Sequence, residues 1–208
     1  MDGRTQTLQL KFRFWFQEFI PSSSITPASH LNLRRFYFQT EAYASEYDIL
    51  PCSSGIAPGD CVQEITARFQ VGMMTDCSKD DASCYGRDIQ LIYAGGHCHA
   101  PSCISIELYN MDTGQLLCRQ LPVWGEGKQS QFDELSYLSG IPPCLWGSDP
   151  GLEPPITLHW ETNLLSIKRN NNTIGHYGEM ASWQASKLCF RCLISTASCV
   201  KMSSESVT

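Results

Sequence analysis

Apolar residues in this chain recur at every second position, and that period commits a segment to a strand with one buried face. Leu8, Leu10, Phe12, Phe14 and Phe16 alternate with Gln9, Lys11, Arg13 and Trp15. The period returns in Ile65, Ala67, Phe69 and Val71, then in Ile89, Leu91 and Tyr93. It returns again in Ile104, Ile106 and Leu108, and in Ile156, Leu158 and Trp160. Arg35 to Tyr43 is aromatic-rich and reads as a further strand. Loop signals separate these runs: Pro21 to Pro27, Pro51 to Pro58, Cys77 to Gly86, Asn110 to Gly114, and Pro142-Pro143 followed by Gly147 to Pro155. Lys168 to Thr173 is polar and suits a turn. No stretch carries the pattern of a long amphipathic helix. The expectation is an all-β chain folded as an antiparallel, jelly-roll-like β-sandwich. Residues 1–184 make one domain in this reading. From 185 to 208 the chain turns small and polar and reads as an irregular tail.

Eleven cysteines in 208 residues are many for a reducing compartment. Cys52 with Cys61, Cys77 with Cys84, Cys98 with Cys103, and Cys118 with Cys144 are candidate disulfides on proximity. Spacing alone does not fix connectivity, and an odd total leaves at least one thiol over. Asn171-Asn172-Thr173 is a glycosylation sequon, which also suits secretion. The first seven residues carry no apolar core of a secretory signal. Two expectations compete: a cytosolic domain with reduced thiols, or a piece of a longer secreted protein. The second accounts better for a chain that enters strand-like sequence almost at once. No apolar run is long enough to span a membrane. The net charge of −6, with no basic stripe, argues against a nucleic-acid partner.

The chemistry concentrates in Gly95-Gly96-His97-Cys98-His99. On a strand, His97 and His99 face the same way, about 6.6 Å apart at ~3.3 Å per residue. Two imidazoles so placed can converge on one metal ion. The plainer reading is two part-exposed histidines without a ligand. Cys98 points to the opposite face, where a disulfide or the core suits it. A second candidate run is Gly175-His176-Tyr177-Gly178-Glu179-Met180. Met180 is either a core filler or a thioether ligand. His176 is a weak second candidate, and Glu179 reads as a surface residue. Cys189 and Cys192 form a C-x-x-C without the second half of a zinc site.

Other chemistries are absent from the sequence. It holds no G-x-S-x-G elbow, no Walker A loop, no H-E-x-x-H and no dinucleotide-binding glycine run. Asp80-Asp81 and Asp133-Glu134 fall in polar loops and read as solvated pairs.

Taken in order, several of these pieces resemble the stress-up-regulated nodulin (SURNod-type) family. They are Gly95-Gly96-His97-Cys98-His99, Ile106-Glu107-Leu108-Tyr109, Asp112-Thr113-Gly114, Leu117-Cys118, Gly125-Glu126-Gly127, Tyr137, Cys144, and His176-Tyr177-Gly178-Glu179-Met180. The resemblance runs from Leu8 to Gln184 and is strongest from Ile89 onward. That family is in turn distantly similar to the second copper domain of peptidylglycine- and dopamine-type monooxygenases. The resemblance implies a copper ion held by His97, His99 and Met180, a donor set that suits Cu(I). It also implies dioxygen and a small organic or peptide substrate. Those enzymes need a second copper on a preceding domain, and here His30, His159 and His176 are scattered. The resemblance therefore implies a missing N-terminal domain, and metal binding more than turnover by this chain alone. The competing expectation is a non-catalytic secreted, stress-associated module with a structural or vestigial metal site.

Overall fold

Side-chain alternation along a pleated backbone sorts the described chain into short strands joined by turns. The computed structural model describes residues 32–39, 46–74, 77–81, 84–127, 135 and 137–189, with the backbone alone at 32–39 and 186–189. The expected strand at Leu8 to Phe16, the loop from Pro21 to Pro27, Asp133-Glu134 and everything after Cys189 lie outside these residues.

In chain order the strands are β1 (Asn32–Gln39), β2 (Tyr47–Ile49), β3 (Val62–Gln70), β4 (Ile89–His97), β5 (Cys103–Asn110), β6 (Gln115–Gln120) and β7 (Val123–Trp124). After them come β8 (Leu138–Gly140), β9 (Cys144–Leu145), β10 (Ile156–Leu158), β11 (Asn163–Asn171), β12 (His176–Glu179) and β13 (Ser182–Cys189). Two short 3-10 turns, Pro58–Asp60 and Val71–Met74, are the helical elements among the described residues. One sheet is ordered β1-β13-β4-β10, with β9 also paired to β4, and the second is ordered β3-β11-β5-β6. Every strand pairing is antiparallel. The small pairs β2–β12 and β7–β8 complete the described strands.

The two larger sheets bury one shared core, which makes the fold β-sandwich-like. Ile89, Leu91, Ala94, Leu158 and Trp183 come from the first sheet, and Phe69, Ile106, Leu108, Leu117 and Leu164 from the second. Each fully buried side chain of this size contributes about 1.5–3 kcal/mol by leaving water. The Trp183 indole donates its N–H to Ser166 Oγ at 2.8 Å, so the polar edge of the largest core side chain is satisfied.

Cys52 is bonded to Cys61, Cys77 to Cys84, Cys98 to Cys103, and Cys118 to Cys144. The last of these joins β6 of one sheet to β9 of the other. Four disulfides belong to an oxidising environment of the extracellular kind.

Three readings of the sequence need correction. Lys168 to Asn171 is the end of β11 and not a turn. Leu164, Ser166, Lys168 and Asn170 form its inward face, and all four are buried. Polar residues survive there because partners reach them from other segments, which local pattern cannot reveal. The chain also stays extended past Gln184, since β13 runs to Cys189 between β1 and β4. Finally, Tyr93 does not share the face of Ile89 and Leu91. The pairing of β4 with β13 shifts there: Tyr93 lies opposite Ser186, while Leu91 lies opposite Lys187. Ile92 is the extra residue of a bulge. Beyond it the inward positions become Ala94, Gly96 and Cys98.

Candidate metal site

The bulge decides which way the histidines face. Ala94 and Cys98 are buried, and Gly96 packs against Ile106 and Gln120 of the opposite sheet. An added Cβ at Gly96 would lie 2.5 Å from Ile106 Cγ2 and 2.6 Å from Gln120 Oε1. Gln120 is itself buried, accepts the Gly96 N–H, and donates to the Pro142 carbonyl at 2.7 Å. His97 ends β4 on the outer face and is exposed. His99 lies beyond the strand, in the loop that Cys98 and Cys103 close. A backbone bond from Cys103 N–H to the His99 carbonyl at 3.2 Å tightens the same loop.

The two imidazoles meet edge to face, with ring centroids 4.9 Å apart and planes at 80°. Burial lowers the proton affinity of His97 below its ordinary value, the neighbouring His99 and Lys168 lower it further, and Glu179 opposes them. Neutral imidazole is the form that ligates a metal.

The segment of Met180 comes to the same end of the sheet. Ser182, two residues after it, is the direct partner of His97 across β13 and β4. Met180 is half-buried, and its carbonyl accepts a hydrogen bond from Lys168 Nζ at 2.5 Å. Among the described residues, no three or more His, Cys, Asp or Glu side chains gather in a way that would hold a metal ion. A third donor beside the histidine pair would be of another kind, and Met180 belongs to the segment that reaches this end of the sheet. Two nitrogens and a thioether are a soft, copper-like donor set.

Below this end of the sheet lies a polar cluster that sequence reading missed. Lys168 Nζ is 2.9 Å from Glu179 Oε2 and sits 5.5 Å from the centre of the Tyr47 ring. Ser102 Oγ donates to Glu179 Oε1 at 2.6 Å. That uses its single proton, so the 3.3 Å contact with Asn170 is best met by the Asn170 amide turning its NH2 toward Ser102. Glu179 was expected at the surface but is buried, because Lys168 and Ser102 satisfy both of its oxygens. Burial depresses the proton affinity of Lys168, and the hydrogen bond and charge of Glu179 oppose that. The one sequence signal for this cluster was a charged pair among glycines and asparagines, with no local partner for either member.

Other candidates fall elsewhere. His176 starts β12 opposite Ile49, half-buried. His159 pairs with Asp88 at 2.9 Å beside a cavity of about 330 Å³ lined also by Trp160 and Glu161. That cavity adjoins the first residue of β4, whereas His97 is the last. Asn171 ends β11, and its Oδ1 accepts the Thr173 N–H at 3.0 Å. Tyr93 lies along the outer face: a Cβ on Gly95 would sit 2.4 Å from its hydroxyl oxygen. The chain matches no known family profile, and no curated protein is significantly similar to it.

Proposed function

We propose that this chain is a secreted, copper-binding, monooxygenase-like domain of jelly-roll type. His97, His99 and Met180 hold the ion. The observation that carries this reading is the edge-to-face pair at 4.9 Å, at the sheet end where Ser182 pairs with His97 and Met180 precedes it. Lowered proton affinity at His97 supports it, since protons and metal compete for the same nitrogen. Bound copper would supply the redox centre for dioxygen chemistry on a small organic or peptide substrate. The chain's own residues bind the ion, turn the imidazoles outward and keep Cys98 out of the donor set by locking it to Cys103.

The test is copper stoichiometry of the purified, oxidised chain. One copper per chain is expected, lost in the double variant His97→Ala, His99→Ala. Full retention in that variant would end the proposal. A second reading, a non-catalytic secreted interaction module, is favoured by the exposure of His97. Ascorbate-driven oxygen consumption that depends on Met180 would count against it.

A further inference from the structure

We infer that Ser102, Lys168 and Glu179 are positioning residues that tie the loop carrying His99 to the segment carrying Met180. The consequence for copper rests on the reading above; the tie itself does not.

One carboxylate makes the connection. Glu179 Oε1 accepts the Ser102 hydroxyl, and Ser102 belongs to the disulfide loop that also holds His99. Glu179 Oε2 accepts Lys168 Nζ, and the same Nζ donates to the carbonyl of Met180. Lys168 is anchored on β11, in the opposite sheet from β4 and β13. Both candidate ligand segments are thus referred to one fixed point in the second sheet.

The choice of chemistry supports a geometric role. Ser102 and Lys168 are fully buried and Glu179 nearly so. A buried ion pair adds little stability over apolar side chains of similar volume, which often do as well or better. Apolar packing is non-directional, however, and leaves a segment free to slide or rotate. Three hydrogen bonds with fixed donors and acceptors do not. A site needs that directionality, because its donors must be held within a fraction of an ångström.

Two variants of the full, oxidised chain test this. Ser102→Ala removes the tie on the loop side only. Lys168→Met with Glu179→Gln removes the charges together, so no lone charge is left buried. The first readout is amide hydrogen exchange of the metal-free protein. Ser102→Ala should raise exchange about tenfold in residues 98–102, and the double variant about tenfold in residues 179–182, with β3 and β5 unchanged. The second is X-ray absorption of the chain loaded with Cu(I). In the double variant the sulfur neighbour should be weakened or lost while the two nitrogen neighbours persist. Unchanged exchange in those two segments, or a uniform rise across all strands, would overturn the inference. If the wild-type chain takes up no copper, the copper reading fails, and the exchange result still decides the tie.

Discussion

Lys168 Nζ lies 2.9 Å from Glu179 Oε2, and neither side chain is more than 3% exposed. Removing one member leaves the other charged and unpaired in the interior. Lys168→Ala or Glu179→Ala should each cost about 3–5 kcal/mol. The double variant Lys168→Met, Glu179→Gln should cost far less than the sum. Urea denaturation checks this through the midpoint, and an unchanged slope would show that the transition is still of the same kind. Additive losses would mean that the two groups do not interact.

Glu107 predicts a pH dependence. Its carboxylate is buried on β5 and receives Tyr109 Oη at 2.6 Å, Arg119 Nε at 2.8 Å and Arg169 Nη1 at 2.8 Å. Burial alone would raise its pKa, but the hydrogen bonds from Tyr109, Arg169 and Arg119 outweigh burial and hold it below the ordinary 4.5. The unfolded chain therefore binds the proton first as pH falls. The stabilisation is complete above 4.5 and drains away through the range below it. Wild-type stability should drop more steeply below that pH than that of Glu107→Gln, measured by urea titration at a series of pH values. Parallel curves would refute the assignment.

Two adjacent glycines should respond differently to a methyl group. At Gly96 the new Cβ meets Ile106 and Gln120 inside the sandwich. Gly96→Ala should cost about 1–3 kcal/mol, as overpacking does. At Gly95 the obstacle is the hydroxyl end of half-buried Tyr93, which has room to swing away. Gly95→Ala should cost less, and thermal unfolding of the two variants should rank them in that order.

Replacing the histidines separates binding from folding. His97 is exposed and His99 half-buried, so His97→Ala and His99→Ala should change stability by about 0.5 kcal/mol or less. Copper uptake should nevertheless fall in each. Metal analysis beside a melting curve distinguishes a lost ligand from a lost fold.

Much of the architecture was legible because it is written locally. Alternation marked β3, β5 and β10, and the turn residues Asn110 to Gly114 marked the hairpin between β5 and β6. The disulfides link cysteines close in sequence, the widest pair being 26 residues apart. The sequence spacing of His97 and His99 assumed a strand running through both, but β4 ends at His97 and His99 lies in the loop closed by Cys98 and Cys103. What stayed hidden depends on partners far along the chain. Lys168 looks like a turn residue until Glu179 arrives, and Glu179 looks solvated until Lys168 and Ser102 do. The buried role of Trp183 likewise depends on Ser166. The bulge at Ile92 left no mark that periodicity could register.

That single extra residue has a chemical consequence. Strict alternation from Ile89 would carry Tyr93, Gly95 and His97 inward with Leu91, and Ala94, Gly96 and Cys98 outward. The imidazoles would then be sealed in hydrocarbon, and the sulfur of Cys98 would stand in solvent as a free, oxidisable thiol. The bulge exchanges the two outcomes without changing a residue of the motif. Deleting Ile92 would remove the extra residue and the bulge together, so regular alternation from Ile89 would still carry Ala94, Gly96 and Cys98 inward, and Cys98 should stay protected from alkylation in that variant.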